Sequence, residues 1–340
     1  MNMHELESVA QAMVAPGKGI LAADESFGTI KKRLASINLD STEEYRRSYR
    51  ELLFVTPGVE EFISGVIMFD ETLRHATKDG VPFARLLEDR GILAGIKVDK
   101  GAIALAGFPG EKITEGLDGL RQRLGEYVAL GAKFTKWRTV IPISETIPTE
   151  YGLRINAYNQ AQYASLAQEA GLVPIVEPEV LMDGDHTIER CEIVTTATLE
   201  GVFHALYEAG VALESMVLKP NMVISGKGCP QQADIQEVAE ATIRTLMRTV
   251  PAAVPGIVFL SGGQSPSQAT AHLSAMNAIG GFPWELSFSY GRALQEETLK
   301  TWLGNSANVP AAQKVFHWRS KLNSLARYGE YSPEMETVAV

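Results

Sequence analysis

Eight short runs of strand-forming residues recur along this 340-residue chain, and each gap between them is long enough to hold a helix. The runs fall at 19–24, 63–69, 93–99, 134–140, 173–179, 216–221, 257–263 and 286–291. Continuous apolar runs suit strands covered on both faces, and strands alternating with helices build parallel βαβ units. Several helix ends are legible. Ser41, with Glu44 three residues on, predicts a capping box opening a helix through residue 53. The stretches 154–170 and 196–209 close on Gly171 and Gly210, as C-terminal caps do. Ser265-Pro266 opens a helix reaching 279, with proline in its first turn. Eight strands is the number that closes a (β/α)8 barrel. An open doubly wound sheet is the rival, but no G-x-G-x-x-G follows the first run. No linker, charge block or low-complexity segment divides the chain. The expected architecture is α/β, a single-domain (β/α)8 TIM barrel over 1–327, with a polar tail over 328–340 that lies loose or packs on the barrel.

Composition narrows the function classes. A formal net charge of −10 argues against nucleic acid or an anionic membrane as the main partner. Cys191 and Cys229 form no C-x-x-C pair, which fits a reduced, cytoplasmic setting. The six histidines are scattered, with no pair at metal-binding helical spacing, so neither a metal nor a cofactor is expected. The start, Met1-Asn2-Met3-His4-Glu5, shows no basic region followed by an apolar core. Residues 249–284 carry no formal charge, yet Pro251, Pro255 and several glycines break them, so no membrane span is expected.

Charges then appear where a buried strand should have none. Asp24 ends the first run, Lys97 and Asp99 the third, and Glu177 and Glu179 the fifth, while Lys136 and Arg138 lie in the fourth. Spacing of i, i+2 points both members of each pair to one face. Lys219 ends the sixth run, where Pro220 stops it, and Arg292 follows the eighth. Burying so many ions for stability alone is poor use of them, because desolvation tends to cancel the Coulomb gain. Ligand sites on this fold lie at that same end. A lysine with a low-polarity floor beneath it leaves some free amine to attack a carbonyl, and Lys136 lies close enough in the layout to disfavour charge on Lys219. Two turns supply anion contacts: Ser261-Gly262-Gly263 and Ser289-Tyr290-Gly291-Arg292. Ser26, Thr29, Lys32 and Arg33 follow Asp24 where a helix should start, and offer a second. An amine nucleophile, several carboxylates and two anion contacts point to condensation with a ketone and movement of a neighbouring C–C bond.

From about residue 15 to 326 the chain resembles a class I, Schiff-base-forming, fructose-1,6-bisphosphate aldolase. The resemblance rests on APGKGILAADES at 15–26, GIKVDKG at 95–101, KWR at 136–138, VPIVEPE at 173–179, LKPNMV at 218–223, FLSGGQS at 259–265 and FSYGRALQ at 288–295. It implies a metal-independent lyase of glycolysis and gluconeogenesis that reversibly cleaves fructose 1,6-bisphosphate to dihydroxyacetone phosphate and glyceraldehyde 3-phosphate. By resemblance Lys219 is the Schiff-base lysine, Glu177 the acid/base of carbinolamine dehydration, and Glu179 its electrostatic support. Asp24 takes the C4 hydroxyl proton, Lys136 sits between Asp24 and Lys219, and Arg138 contacts substrate. Ser261, Gly262, Gly291 and Arg292 hold the C1 phosphate. Ser26, Thr29 and Lys97 face the C6 phosphate, with Lys32 and Arg33 on the same rim. Glu25 is carried over without a role. The resemblance also implies sugar-phosphate ligands and a homotetramer. Position 29 departs from the family pattern, with threonine for serine. Typical eukaryotic members end in a tyrosine that helps exchange a proton at the ketose carbon, whereas this sequence ends Thr337-Val338-Ala339-Val340, with Tyr328 and Tyr331 upstream. The rivals are another Schiff-base barrel, such as a transaldolase, a sedoheptulose 1,7-bisphosphate substrate, and a scaffold role.

Overall fold

In the computed structural model, which describes residues 3–337, the eight runs form one closed and wholly parallel barrel. Its strands are β1 (Gly19–Ala23), β2 (Ile63–Met68), β3 (Leu93–Lys97), β4 (Phe134–Ile141), β5 (Val173–Val180), β6 (Val217–Leu218), β7 (Gly256–Phe259) and β8 (Glu285–Tyr290). Each pairs with the next in chain order, and β8 closes on β1. Met1, Asn2 and the last three residues of the expected tail lie outside the described residues. β6 is shorter than the run 216–221 because Pro220 cannot donate to the ladder, although the Lys219 N–H still reaches the Val176 carbonyl at 2.9 Å.

Along the inward face of a strand the chemistry changes halfway up. On β4, Phe134 joins an apolar layer inside the barrel and Lys136 and Arg138 follow above it, while Trp137 faces the surrounding helices. On β5, Val173 and Ile175 join the same layer and Glu177 and Glu179 follow. Period two thus stacks a charged upper half on an apolar lower half. The floor is finished by α1 (Met3–Met13), whose Leu6, Ala10 and Met13 pack onto Ile20, Ile67, Val217 and Val258.

Helix C-terminal ends at Gly171 and Gly210 follow the sequence, but those two helices begin earlier than read, at Glu150 and Ile188, and one cap is shifted. The cap of the helix Glu43–Phe54 is Thr42, which accepts from the Tyr45 N–H at 3.2 Å, so the capping box read at Ser41 lies one residue too early. Ser265 does cap Pro266–Ile279 through a capping box with Gln268. A hairpin of Gly101–Ala104 and Lys112–Glu115, which the sequence did not announce, follows β3. Beyond 327, Tyr331 packs on the core and its hydroxyl donates to Glu336 at 2.8 Å, while Glu336 also accepts from Arg319. No helix among the described residues is long and apolar enough to cross a membrane.

The apolar layer has no spare room at Gly95, where an added Cβ would sit 2.2 Å from the Phe134 ring. Gly95→Ala is therefore expected to cost about 1–3 kcal/mol by overpacking. Urea denaturation reads this directly, and an unchanged midpoint would contradict the packing described.

Candidate active site

Register brings the charged residues together. β3 and β4 pair Lys97 with Lys136, and β4 and β5 pair Arg138 with Glu177 and Val140 with Glu179. Asp24 follows β1 and Lys219 follows β6, so both emerge at the C-terminal mouth of the barrel. There a cavity of about 1000 Å³ is lined by Asp24, Lys136, Glu177, Glu179 and Lys219, together with Ser26, Thr29, Arg33, Lys97, Arg138, Ser261, Gly262, Gly291 and Arg292.

At its floor lies a chain of buried ions. Lys219 Nζ is 3.1 Å from Glu177 Oε1, Lys136 Nζ is 3.0 Å from Glu177 Oε2, and the same Lys136 Nζ is 2.8 Å from Asp24 Oδ2. Lys219, Lys136 and Glu177 are each at most 4 % exposed, so these charges interact with little screening by water. Burial works to raise the Asp24 carboxyl, but Lys136 and then Lys219 outweigh it and hold it well below the usual carboxylate range. Glu177 is pushed the same way: burial would raise it, and Lys136, Lys219 and Arg138 together bring it down. Burial would also strip the proton from Lys136, yet Asp24 and Glu177 keep it ammonium, above its ordinary value. Lys136 is therefore a fixed cation that leaves two carboxylates ionised in a low-polarity site. Glu177 Oε2 is buried and no hydrogen bond is aligned on it, which leaves that oxygen able to take a proton. Above this chain Arg138 Nε pairs with Glu179, and Lys97 donates to Asp99 Oδ1 at 2.5 Å.

The rims differ in their polar groups. On one side Ser26 begins α2 (Phe27–Ala35) without capping it, and its Oγ lies 3.3 Å from the Thr29 hydroxyl, so both hydroxyls face the cavity with Lys97. On the other side Gly263 has φ +79°, a conformation that favours glycine, and a Cβ there would strike Met182 Cγ at 2.3 Å. Arg292 has no carboxylate partner among the described residues and donates only to the Gln264 carbonyl, at 3.1 Å. It is a guanidinium left available for an anion.

Two placements correct the sequence reading. Lys32 is exposed on α2 and does not line the cavity, since its helix turns that position outward. Arg33 does line it, but beside the β8 turn: its Nη2 would be 3.4 Å from a Cβ on Gly291. The cause is Glu25. Its carboxylate is buried between Arg33 and Arg50, with Arg50 Nη2 at 2.5 Å and the Gln295 amide donating at 3.1 Å, and this cluster turns Arg33 toward β8. Ser289, read from the sequence only as the start of the β8 turn, has no separate role assigned there. Its Oγ is buried at the cavity wall without a partner, and its alternation with the outward Phe288 and Tyr290 was the available signal. Neither Tyr328 nor Tyr331 lines the cavity, and the Tyr328 hydroxyl lies against Gly17, below the start of β1.

Fold and site together define a (β/α)8 barrel with a buried, ion-paired lysine at the C-terminal mouth of its strands, where enzymes of this fold place their active sites. A family model described as fructose-bisphosphate aldolase class-I matches residues 5–340. A protein of Xanthomonas campestris named "Probable fructose-bisphosphate aldolase class 1" is 58 % identical over 332 residues, 97 % of this chain and 99 % of its own. A fructose-bisphosphate aldolase of Dictyostelium discoideum is 52 % identical over 98 % of this chain and 94 % of its own. Among solved structures, a Plasmodium falciparum fructose-bisphosphate aldolase, in complex with TRAP and a small-molecule inhibitor, superposes with a TM-score of 0.95 at 52 % identity, covering 97 % of this chain and 95 % of that one. The chain belongs to the class I fructose-bisphosphate aldolase family.

The ion chain has a signature in stability. A depressed carboxylate stabilises the fold above its unfolded pKa, near about 4, and that contribution is lost as pH falls through the lower folded value. The native protein should therefore hold its urea midpoint from pH 8 to pH 5 as far as Asp24 and Glu177 are concerned. Lys136→Met removes the largest cationic influence opposing the burial of Asp24 and leaves the weaker Lys219 and Lys97, so the folded pKa of Asp24 should rise past the unfolded one and stability should fall as pH rises from 5 to 8. Midpoints of the variant that do not change over that range would contradict the role given to Lys136.

Proposed function

We propose that this chain reversibly cleaves fructose 1,6-bisphosphate to dihydroxyacetone phosphate and glyceraldehyde 3-phosphate through a Schiff base on Lys219. The observation that carries this reading is the buried sequence Lys219–Glu177–Lys136–Asp24, a nucleophile and two proton acceptors held in reach of one another. Lys219 Nζ passes its extra proton to Glu177 and attacks the C2 carbonyl, and Glu177 returns that proton to the carbinolamine hydroxyl as it leaves as water. Asp24, kept ionised by Lys136, takes the C4 hydroxyl proton, the C3–C4 bond breaks, and its electrons move into the iminium to give an enamine. Protonation at C3 and hydrolysis then release the ketose phosphate and free the lysine. Arg138, held by its pair with Glu179, helps keep Glu177 ionised and contacts the substrate.

The two rims set the length of the substrate. Arg292, Gly262, Gly291 and Ser261, with Ser289 and Arg33 beside them, would hold the C1 phosphate. Ser26, Thr29 and Lys97 would hold the C6 phosphate. Sedoheptulose 1,7-bisphosphate presents the same reactive end and is a second substrate by the same reading. A cytoplasmic homotetramer is the setting we propose, supported by two cysteines that are both free and buried, and by the family relationship. The Plasmodium falciparum relative was solved with TRAP, which favours a scaffold role in addition to catalysis.

A coupled assay on fructose 1,6-bisphosphate with a chelator present tests the reaction. Turnover should persist in chelator, as in this metal-independent class. Lys219→Met should lose about 10⁴-fold or more in kcat. Activity abolished by chelation, or retained by Lys219→Met, would overturn the mechanism.

A further inference from the structure

The helix Pro266–Ile279 carries a buried titratable side chain that the reaction above does not use. His272 is 6 % exposed, and its Nδ1 lies 2.6 Å from the side-chain oxygen of Gln264, itself 5 % exposed. A carboxamide oxygen can only accept, so Nδ1 carries the proton and Nε2 is bare. Burial pushes the imidazole down to about 4, consistent with that neutral tautomer. Gln264 in turn does two things for the phosphate rim. Its N–H closes the glycine turn on the Ser261 carbonyl at 3.2 Å, and its carbonyl receives the Arg292 guanidinium at 3.1 Å.

We propose that His272, acting through Gln264, is a positioning residue for Arg292 and so sets the affinity for the C1 phosphate. The inference rests on the reading that Arg292 and the glycine turn hold that phosphate. The Gln264 carbonyl is the one described protein anchor of Arg292, and a long side chain held before binding loses less freedom when the anion arrives. Behind the turn lies a second cavity of about 590 Å³, lined by both Gln264 and His272. Without the imidazole to hold it, the Gln264 side chain has that space to swing into, and the backbone that carries the Arg292 anchor loosens with it. The pair touches no reacting atom. Its effect therefore belongs to substrate binding and not to the chemical step.

Steady-state kinetics on fructose 1,6-bisphosphate test this with His272→Leu, His272→Asn, Gln264→Leu, Arg292→Ala and the double variant His272→Leu/Arg292→Ala. His272→Leu should raise KM about five- to ten-fold, with kcat within about two-fold. Gln264→Leu, which keeps the backbone carbonyl and loses the side-chain oxygen, should do the same and serves if His272→Leu does not fold. His272→Asn places an amide N–H where Nδ1–H stood and should restore a KM near the native value. Arg292→Ala should raise KM about 100-fold, and adding His272→Leu to it should raise KM no further. An unchanged KM in both leucine variants, an asparagine variant as impaired as His272→Leu, or additive effects in the double variant would overturn the proposal while leaving the phosphate reading intact. An Arg292→Ala protein with native KM would instead remove the phosphate reading, and the inference with it.

Discussion

One carboxylate shared between two ammonium groups underlies the rest of this structure. Glu177 meets Lys219 through one oxygen and Lys136 through the other, and Lys136 continues to Asp24. Four ionisable groups out of water would cost several kcal/mol each if left alone. They are tolerated because each has an opposite charge within 3.1 Å and because the barrel beneath them is densely packed and apolar. Their charge pattern also decides what each can do. Lys136 cannot easily give up its proton, so the two carboxylates beside it stay ionised and ready to accept one. Lys219 touches only the outer member of the set, and on the proposed mechanism it is the amine the others serve. The barrel thus confines its polar burden to the upper half of the interior, where loops can bring a substrate to it.

Much of this was legible in the sequence because β-structure has a strict period. Lys136 with Arg138, and Glu177 with Glu179, stand two apart, so finding one member on the inner face predicted the other. Pro220 marked the end of β6 and so placed Lys219 at the mouth. What escaped depends on rotation about a helix or on distant partners. Arg33 and Lys32 are neighbours on α2, a helix whose starting angle no short-range signal gives, and only Glu25 with Arg50 decides that Arg33 turns toward β8. Lys32, one residue earlier, is turned to solvent. α1 was overlooked because its apolar stripe of Leu6, Ala10 and Met13 is short and needs the barrel floor to make sense of it.

The two rims proposed to hold the phosphates are built on different principles. At the β7 and β8 turns, glycines would bring the backbone close to an anion, beside a guanidinium that has no carboxylate partner among the described residues. At the β1 rim, uncapped hydroxyls at a helix start and a lysine already paired with Asp99 give a weaker, more adjustable contact. Such an asymmetry suits a reaction in which one product stays covalently attached while the other leaves. On the proposed reading, the end that stays is the one with the rigid cradle. The tyrosines nearest the end of the described chain add nothing to either rim, since Tyr328 lies below β1 and Tyr331 is bound to Glu336.

Borohydride reduction in the presence of dihydroxyacetone phosphate, followed by peptide mass mapping, tests the central claim most directly. Schiff-base chemistry at the end of β6 predicts a single reduced adduct, carried by the peptide containing Lys219 and lost in Lys219→Met. Protein that binds the ketose phosphate yet yields no adduct, or yields one on Lys136, would contradict the assignment of nucleophile and fixed cation on which the account depends.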